Sequence, residues 1–174
     1  MPERFSIEPF DRSRHDRSQF DCGVLSLNNY VKRQISSDIR RNLARGYVAV
    51  RISDKGMPRK VAGYYTLSTH SVRTALLPED LAKCPYSDVP AVLIGRLAVA
   101  TSFKGNGLGA QLVVSALRKS IELHDKIGIQ LVVVDPFGED VLSFYEKFGF
   151  QEFGEGRLLL PIKTVQNAWR NAAK

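Results

Sequence analysis

Runs of apolar residues mark several strands along the chain. Phe5–Phe10 alternates polar and apolar residues, which predicts a short strand with one buried face. Tyr47–Ile52 and Val61–Ser68 are strand-like runs joined by a turn-rich segment, and we expect them to pair as a hairpin. Val92–Val99 is strongly apolar and is interrupted by Gly95-Arg96. These runs predict that much of the chain forms a sheet.

A helical spacing of apolar residues appears in two longer segments. Between about Leu25 and Arg45 the apolar side chains recur every four residues, which predicts an amphipathic helix broken near Ser36-Ser37 and stopped at Gly46. Leu108–His124 carries a similar stripe and predicts a second helix. The apolar positions of the first stripe are Leu27, Val31, Ile35, Ile39 and Leu43.

The rest of the pattern completes an α/β arrangement. Ile129–Val134 is a continuous apolar run typical of a strand buried on both faces, and a crossover helix makes it a parallel neighbour of Val92–Val99. Residues 71–90 predict a loop region with a possible helical turn at Pro78–Lys83. The last predicted elements are a short helix at Asp140–Phe148, strands at Phe150–Phe153 and Arg157–Ile162, and a turn at Gly154-Glu155-Gly156. The order predicts one domain over residues 1–174, with a central mixed sheet and helices on both faces.

Composition excludes several classes of protein. The 174 residues are 44% hydrophobic and 25% charged, which suits a globular core and excludes a disordered chain. The longest apolar stretches are too short to span a bilayer, and the first residues lack the basic-then-apolar run of a secretory signal. Two cysteines and three histidines show no metal-ligand spacing, so we expect no metal. We therefore expect a cytoplasmic protein with no membrane partner.

The net charge of +7 is concentrated near the N-terminus. Residues 1–60 hold 13 Lys and Arg against 7 Asp and Glu, whereas residues 61–174 hold 12 against 11. This asymmetry predicts a surface that faces a polyanion, without specifying which one. The basic residues of the first predicted helix region, about 21–45, are Lys32, Arg33, Arg40, Arg41 and Arg45, opposed only by Asp38. The alternative is that each of these arginines belongs to an ordinary solvated helix face.

The segment with the clearest chemistry joins a strand to a helix. Lys104-Gly105-Asn106-Gly107-Leu108-Gly109-Ala110 follows the strand at Val92–Val99 and opens the helix at Leu108. Glycines let the backbone approach a ligand closely, and the amides of a helix N-terminus favour an anion. The spacing matches neither the Rossmann nor the Walker phosphate-binding pattern. A turn that needs glycine only for its geometry is the alternative.

A second motif, closer to the C-terminus, helps to interpret the glycine-rich loop. Ser143-Phe144-Tyr145 through Phe150 closes a short helix and enters a strand. Together the two motifs resemble the GNAT acyltransferase superfamily, with Lys104 where that family usually has Arg or Gln. The resemblance covers about residues 45–160, with an acetyl-CoA-binding core at about 90–160. It implies the GNAT fold, with a splayed pair of strands in a mixed sheet.

The resemblance also assigns roles to residues. It implies that acetyl-CoA is the donor, that its pyrophosphate binds the amides of Lys104–Ala110, and that Leu97, Ala98 and Val99 line its pantetheine arm. Tyr145 would act as the general acid that protonates the departing sulfur, next to Phe144. The alternative for Tyr145 is simple packing among helix aromatics. The implied cofactor-binding residues are Leu97, Ala98, Val99, Lys104, Gly105, Asn106, Gly107, Leu108, Gly109, Ala110 and Phe144.

A closer resemblance extends over nearly the whole chain. Phe20-Asp21-Cys22-Gly23, Gly63-Tyr64-Tyr65, Leu76-Leu77-Pro78 and Gly95-Arg96-Leu97-Ala98-Val99 look like segments of the GNAT toxins of bacterial toxin–antitoxin modules. The likeness implies acetylation of the α-amine of aminoacyl-tRNA, a block of translation, a ribbon-helix-helix antitoxin and a homodimer. The candidate tRNA contacts are Arg33, Arg40, Arg41, Arg45 and Arg96.

Other interpretations remain open. No strong general base is evident, because Glu139, Glu146, His70 and His124 are expected to be solvated or structural. The chain could instead acetylate a small amine or a protein N-terminus. It could also be a binding module that has lost its chemistry and holds only an antitoxin or nucleic acid. An internal ion pair is the alternative for Arg96.

Overall fold

The computed structural model describes residues 3–137, 139–154 and 156–174. Its strands are β1 (Phe5–Pro9), β2 (His15–Asp16), β3 (Arg45–Arg51), β4 (Arg59–Arg73), β5 (Asp88–Val99), β6 (Leu131–Val134), β7 (Gln151–Phe153) and β8 (Arg157–Pro161). Its α-helices are α1 (Leu25–Asn29), α2 (Ile35–Arg40), α3 (Leu108–His124), α4 (Leu142–Glu146) and α5 (Ile162–Ala172). A π-helical turn, Tyr30–Gln34, joins α1 to α2. Glu155, at the centre of the predicted turn after β7, lies outside the described residues.

The chain divides into two compact units, and the longest elements contribute to both. The first unit holds the described residues up to Ser68 together with Arg96–Ala116. In it β3 lies between β1 and β4, and both pairings are antiparallel. The hairpin predicted from Tyr47–Ile52 and Val61–Ser68 is therefore confirmed.

The second unit holds Thr69–Gly95 and Leu117–Lys174. In it β6 pairs in parallel with β5, from Ala91↔Leu131 to Ile94↔Val134, and pairs antiparallel with β8. β7 pairs with β8 at the edge. The parallel neighbours predicted from a crossover helix are confirmed, and the sheet is mixed as expected.

Both faces of the first unit's sheet are covered by helices. Tyr64 donates a hydrogen bond of 2.8 Å to the carbonyl of Leu27 in α1. At the next position on β4, a Cβ on Gly63 would lie 3.0 Å from the side chain of Leu112 in α3. Neighbouring strand residues point to opposite faces. The helices α1 and α3 therefore lie on opposite sides of β4, as the sequence predicts.

The prediction for the first helix is wrong in two respects, namely where the helix ends and where it is interrupted. The break is the π-helical turn, whose last residue lies two positions before Ser36, and α2 ends at Arg40 rather than near Arg45. Asn42 adopts φ 58°, and the Leu43 and Asn42 amides donate to the carbonyls of Asp38 and Ile39. This hydrogen-bonding pattern ends a helix in a left-handed residue, usually Gly and sometimes Asn.

Gly46 therefore does not end the helix, and a different constraint explains why glycine is found at this position. It lies inside β3, where a Cβ would come 2.8 Å from Cδ1 of Ile35. The absence of a side chain lets α2 pack directly on the strand. Leu43, which the helical stripe predicts as buried, is 59% exposed because the helix has already ended.

The C-terminal helix α5 is not among the predicted elements. Ile162 and Val165 are buried, and Trp169 is partly buried one helical turn further on. This spacing is the signal from which the helix could be predicted, although it covers only three apolar positions. Within the described residues no helix is long and apolar enough to cross a membrane.

A buried polar cluster joins β1 to β2 and β4. His15 is 2% exposed, and its Nδ1 accepts a hydrogen bond from the Asp11 amide, so its Nε2 donates to Glu8 at 2.7 Å. The guanidinium of Arg59 also donates to Glu8. Burial alone would raise the pKa of Glu8, but the hydrogen bonds from His15 and Arg59 outweigh it and lower that pKa below 4.5.

We predict that Glu8→Gln destabilises the protein at neutral pH by roughly 1.5–3 kcal/mol, because it removes a hydrogen-bonded charge from Arg59 and His15. The pKa of Glu8 is lowered in the folded state, so its contribution is present above the ordinary pKa and disappears as the pH falls through the folded value. Thermal unfolding of both proteins between pH 7 and pH 3 measures the difference. A difference that stays constant over that range would contradict the role of the carboxylate.

Candidate active site

The pairing between β5 and β6 stops before β5 does. The register ends at Ile94↔Val134, whereas β5 continues to Val99. Leu97 and Val99 are half-buried, and Ala98 between them is 6% exposed. Their backbone groups on the β6 side lie beyond the last pair of β5 with β6, whereas β4 flanks β5 on its other side. This stretch therefore offers peptide groups that an extended ligand could pair with.

The connection from β5 to α3 forms a cradle of backbone amides. Gly105 and Gly107 adopt φ 82° and 74°, and a Cβ at either would meet nothing within 4 Å. Both glycines, and Asn106 between them, are exposed. The Gln111 amide donates to the Gly107 carbonyl, so the amides of Leu108, Gly109 and Ala110 precede the first intrahelical bond. Open amides at the start of a 17-residue helix favour an anion.

The side chain of Leu108 is directed into the protein. It is 1% exposed, and only its backbone amide can serve a ligand at the start of α3. Gly109 and Ala110 are partly buried. The geometry thus fits binding of a pyrophosphate by main-chain amides, with little help from side chains.

The segment Asp21–Gly23 holds this connection in place. The amide and the hydroxyl of Thr101 both donate to the Asp21 carbonyl, at 2.8 and 2.9 Å. The ammonium of Lys104 donates to the Cys22 carbonyl at 2.7 Å. The charge of Lys104 is therefore directed at the protein's own backbone. The resemblance implies that the backbone amide of Lys104 contacts the pyrophosphate, but this amide donates to the Thr101 carbonyl at 3.3 Å.

The Asp21 carboxylate organises the same turn from its other side. It accepts hydrogen bonds from the Gly23 amide at 2.9 Å and from Nδ2 of Asn28 at 2.8 Å, and these lower the pKa of Asp21. Oδ1 of Asn28 accepts the Cys22 amide at 2.8 Å. Asn28 belongs to α1, so one turn links the cradle to the first helix.

The four predicted tRNA contacts outside β5 are all exposed. Arg33 lies in the π-helical turn, Arg40 ends α2 and Arg41 follows it. Arg45 does not belong to the helix, contrary to the sequence-based expectation, because Asn42 ends α2 and β3 begins at Arg45. Its guanidinium donates to Oδ1 of Asn42 at 3.2 Å, which partly occupies it at this turn.

Arg96 stacks on an aromatic ring. Its guanidinium carbon lies 3.8 Å from the centroid of the Tyr30 ring. Among the described residues no carboxylate lies within ion-pairing distance of Arg96, so the predicted alternative of an internal ion pair is not found there.

Tyr145 lies in α4 of the second unit and is 3% exposed. Its ring centroid is 5.1 Å from that of Phe144 and 5.7 Å from that of Phe150. Burial raises the pKa of Tyr145 above its ordinary value of 10, so the phenol stays protonated at neutral pH. Gly149, at φ 92°, ends the helix and leads into Phe150. Tyr145 therefore packs among aromatic rings and also keeps a phenol proton that it could donate.

The other titratable candidates have different environments. Glu146 is exposed, and Nδ1 of His124 donates to the Ile129 carbonyl at 2.9 Å. Burial and the nearby Arg157 lower the pKa of His70. The side chain of Glu139 is not among those described. In the described ranges, no group of three His, Cys, Asp or Glu side chains could hold a metal ion.

Comparison with known proteins places these features in a family. Residues 45–152 match the model of the acetyltransferase (GNAT) domain. The probable toxin TacT of Sinorhizobium fredii is 30% identical over 172 residues, covering 92% of this chain and 93% of the relative. A tRNA-acetylating toxin of Mycobacterium tuberculosis is 28% identical over 136 residues, covering 78% of each chain.

Solved structures give the same result. A tyrosine-to-phenylalanine mutant of KacT superposes with a TM-score of 0.88 at 29% identity, covering 94% of this chain and 98% of that one. AtaT complexed with acetyl-methionyl-tRNAfMet gives 0.87 at 30% identity, with coverages of 95% and 99%. A mutant AtaT toxin bound to the C-terminus of the antitoxin AtaR and acetyl-CoA gives 0.80 at 27% identity, with coverages of 95% and 98%. This chain belongs to the GNAT acetyltransferase family.

Proposed function

We propose that this protein is an acetyl-CoA-dependent N-acetyltransferase, and that it acts as a toxin by acetylating the α-amine of aminoacyl-tRNA and so blocking translation. The observation that carries the proposal is the similarity to AtaT in complex with acetyl-methionyl-tRNA, which extends over 95% of this chain. The amide cradle at the start of α3 and the exposed arginines of the first unit supply the two surfaces that this reaction needs.

The donor site would use mostly backbone groups. The amides of Gly105–Ala110 would bind the pyrophosphate of acetyl-CoA, since the Lys104 amide already donates to the Thr101 carbonyl at 3.3 Å. Backbone groups of Leu97, Ala98 and Val99 would pair with its pantetheine arm. Phe144 would contact the arm from α4. A backbone amide of β5 could also stabilise the oxyanion that forms when the amine attacks the thioester carbonyl.

Proton transfer would need little from the protein. An α-amine has an ordinary pKa of about 7.7–8.0, and the neighbouring ester lowers it, so much of the amine is neutral at physiological pH. Water can then accept the proton released on attack. Tyr145 would donate its phenol proton to the departing sulfur, a role that its raised pKa favours because the phenol remains protonated.

The acceptor surface would be the arginine-rich part of the first unit. Arg33, Arg40, Arg41 and Arg45 would contact tRNA phosphates without reading bases, and Arg96 would lie near the acceptor end. The proposed protein partners are a ribbon-helix-helix antitoxin, which would neutralise the toxin, and a second copy of this chain in a homodimer. Such a protein would act in the cytoplasm, where charged tRNA is found.

Incubation with labelled acetyl-CoA tests the proposal. We expect label on charged total tRNA and none on deacylated tRNA. Label on polyamines or peptide N-termini instead would identify a different acetyltransferase. No label on any amine, with antitoxin or nucleic acid still bound, would identify a binding module without chemistry.

We predict that Tyr145→Phe lowers kcat by about 10²–10⁴-fold, the range typical of a lost general acid, with little change in acetyl-CoA affinity. The wild-type rate should not decline between pH 8 and pH 9.5 through ionisation of this phenol, because burial raises its pKa above 10. Steady-state kinetics and acetyl-CoA titration separate the two effects. An unchanged kcat in the variant would exclude the general-acid role.

We predict that Gly107→Ala raises the KM for acetyl-CoA by about tenfold, the equivalent of one weakened hydrogen bond to a charged group. The new methyl group would stand beside the amides that face the pyrophosphate. Gly156→Ala is the matched control, because it places the same methyl group at φ 71° with nothing within 4 Å. Equal effects of the two substitutions would show that backbone strain alone is responsible.

We predict that replacing Arg33, Arg40 and Arg41 by Gln weakens the salt dependence of tRNA acetylation. Each lost phosphate contact should reduce the slope of log affinity against log salt by about 0.7–0.9. The charge-matched control replaces Lys163, Arg170 and Lys174 at the C-terminus by Gln. A slope that falls equally in both triple variants would indicate an effect of net charge rather than of the proposed surface.

A further inference from the structure

The guanidinium of Arg96 is fixed in orientation and yet free to bind. Its carbon lies 3.8 Å from the ring centroid of Tyr30, well inside the distance of about 6 Å at which a cation over a ring is attracted. Among the described residues it has neither a carboxylate partner nor a hydrogen-bond acceptor. An arginine of this kind keeps its N–H donors for a ligand.

Arg51 shows what an arginine engaged by its own chain looks like. It also stacks on a ring, at 5.5 Å from the Phe103 centroid, but it forms ion pairs with Glu3 at 3.4 Å and Asp54 at 3.2 Å. Both terminal nitrogens of Arg51 are therefore paired with carboxylates, whereas Arg96 has no carboxylate partner among the described residues. The two arginines belong to the same unit and provide a natural comparison.

The ring under Arg96 is itself held firmly. Tyr30 is 5% exposed, and its hydroxyl donates to Oδ2 of Asp38 at 3.0 Å. The other oxygen of Asp38 accepts a hydrogen bond from Nε2 of Gln34 at 2.9 Å. Tyr30 also stacks on Tyr64, with ring centroids 6.2 Å apart and planes inclined by 18°. These contacts fix both the plane and the direction of the ring.

The π-helical turn explains why Tyr30 and Asp38 can meet. In a regular α-helix, residues seven apart share a face, whereas residues eight apart are offset by most of a quarter turn. The π-helical turn over Tyr30–Gln34 inserts one residue. Tyr30 and Asp38, eight positions apart, are thereby brought onto one face. Such turns occur frequently at functional sites.

We propose that Tyr30, held by Asp38, is a positioning residue that presents Arg96 to a phosphodiester group at the acceptor end of charged tRNA. The inference rests on the proposed function and names the group that Arg96 would bind. Arg96 immediately precedes Leu97 in β5, so a phosphate bound there would lie beside the strand proposed to pair with the pantetheine arm of acetyl-CoA. A guanidinium fork matches the geometry of phosphate oxygens.

A double-mutant cycle in charged-tRNA acetylation tests the inference. We expect Arg96→Ala to raise the KM for charged tRNA on the order of tenfold, as for one charged hydrogen bond, with kcat and the KM for acetyl-CoA nearly unchanged. Tyr30→Leu should give a similar rise, and Tyr30→Phe should restore most of the affinity because it keeps the ring. In the Arg96→Ala background, Tyr30→Leu should have no further effect on KM.

The salt dependence supplies a readout that a purely structural role would not change. Arg96→Ala and Tyr30→Leu should each lower the slope of log affinity against log salt concentration by about 0.7, the value for one phosphate of a single strand. Two matched controls should leave it unchanged. Tyr64→Phe removes a buried phenol hydrogen bond from the same core, and Arg51→Ala removes an arginine that stacks on a ring but is paired with carboxylates.

Each outcome decides between the alternatives. Additive effects of Tyr30→Leu and Arg96→Ala, or a slope unchanged in Arg96→Ala, would overturn the inference while wild-type activity on charged tRNA still supports the proposed function. Wild-type protein that acetylates no charged tRNA would overturn the proposed function itself. If Tyr30→Leu does not fold, Tyr30→Met removes the ring with a longer apolar side chain and tests the same coupling, and an additive response to Arg96→Ala would again contradict the inference.

Discussion

The connection between β5 and α3 is the constraint on which the rest of the site depends. Two carbonyls, those of Asp21 and Cys22, receive three hydrogen bonds from Thr101 and Lys104. They hold the chain where it must leave the strand, pass through two residues with positive φ and begin a helix. Without that anchor, the amides of Gly105–Ala110 would have no fixed direction. A preorganised cradle of this kind binds an anion without the cost of ordering a flexible loop.

The same turn links the proposed acetyl-CoA-binding residues to the proposed tRNA-binding residues of the first unit. The Asp21 carboxylate bonds Asn28, which lies in α1, and α1 continues through the π-helical turn that carries Tyr30 and Arg33. Arg96 reaches Tyr30 from the strand that ends at the cradle. Residues that would hold acetyl-CoA and residues that would hold tRNA are thus connected by a short series of hydrogen bonds and ring contacts.

The sequence predicts the elements with long, regular patterns and misses the local irregularities. Leu108–His124 and the parallel pairing of β5 with β6 agree with prediction, because a 17-residue stripe and a continuous apolar run leave few alternatives. Periodicity reveals neither the π-helical turn nor the end of α2 at Arg40, which the left-handed residue Asn42 follows. Motif spacing locates the cradle and Tyr145 as candidates, but the target of the Lys104 ammonium depends on a residue 82 positions away.

The position of the transferred acetyl group tests the account most directly. Charged tRNA and the same tRNA carrying the corresponding α-hydroxy acid would be incubated with acetyl-CoA, digested with nuclease and examined by mass spectrometry. If the α-nitrogen is the acceptor, charged tRNA yields N-acetyl-aminoacyl-adenosine and the tRNA carrying the hydroxy acid yields no modified product. Equal acetylation of both tRNAs, or acetyl groups found only on nucleobases, would contradict it.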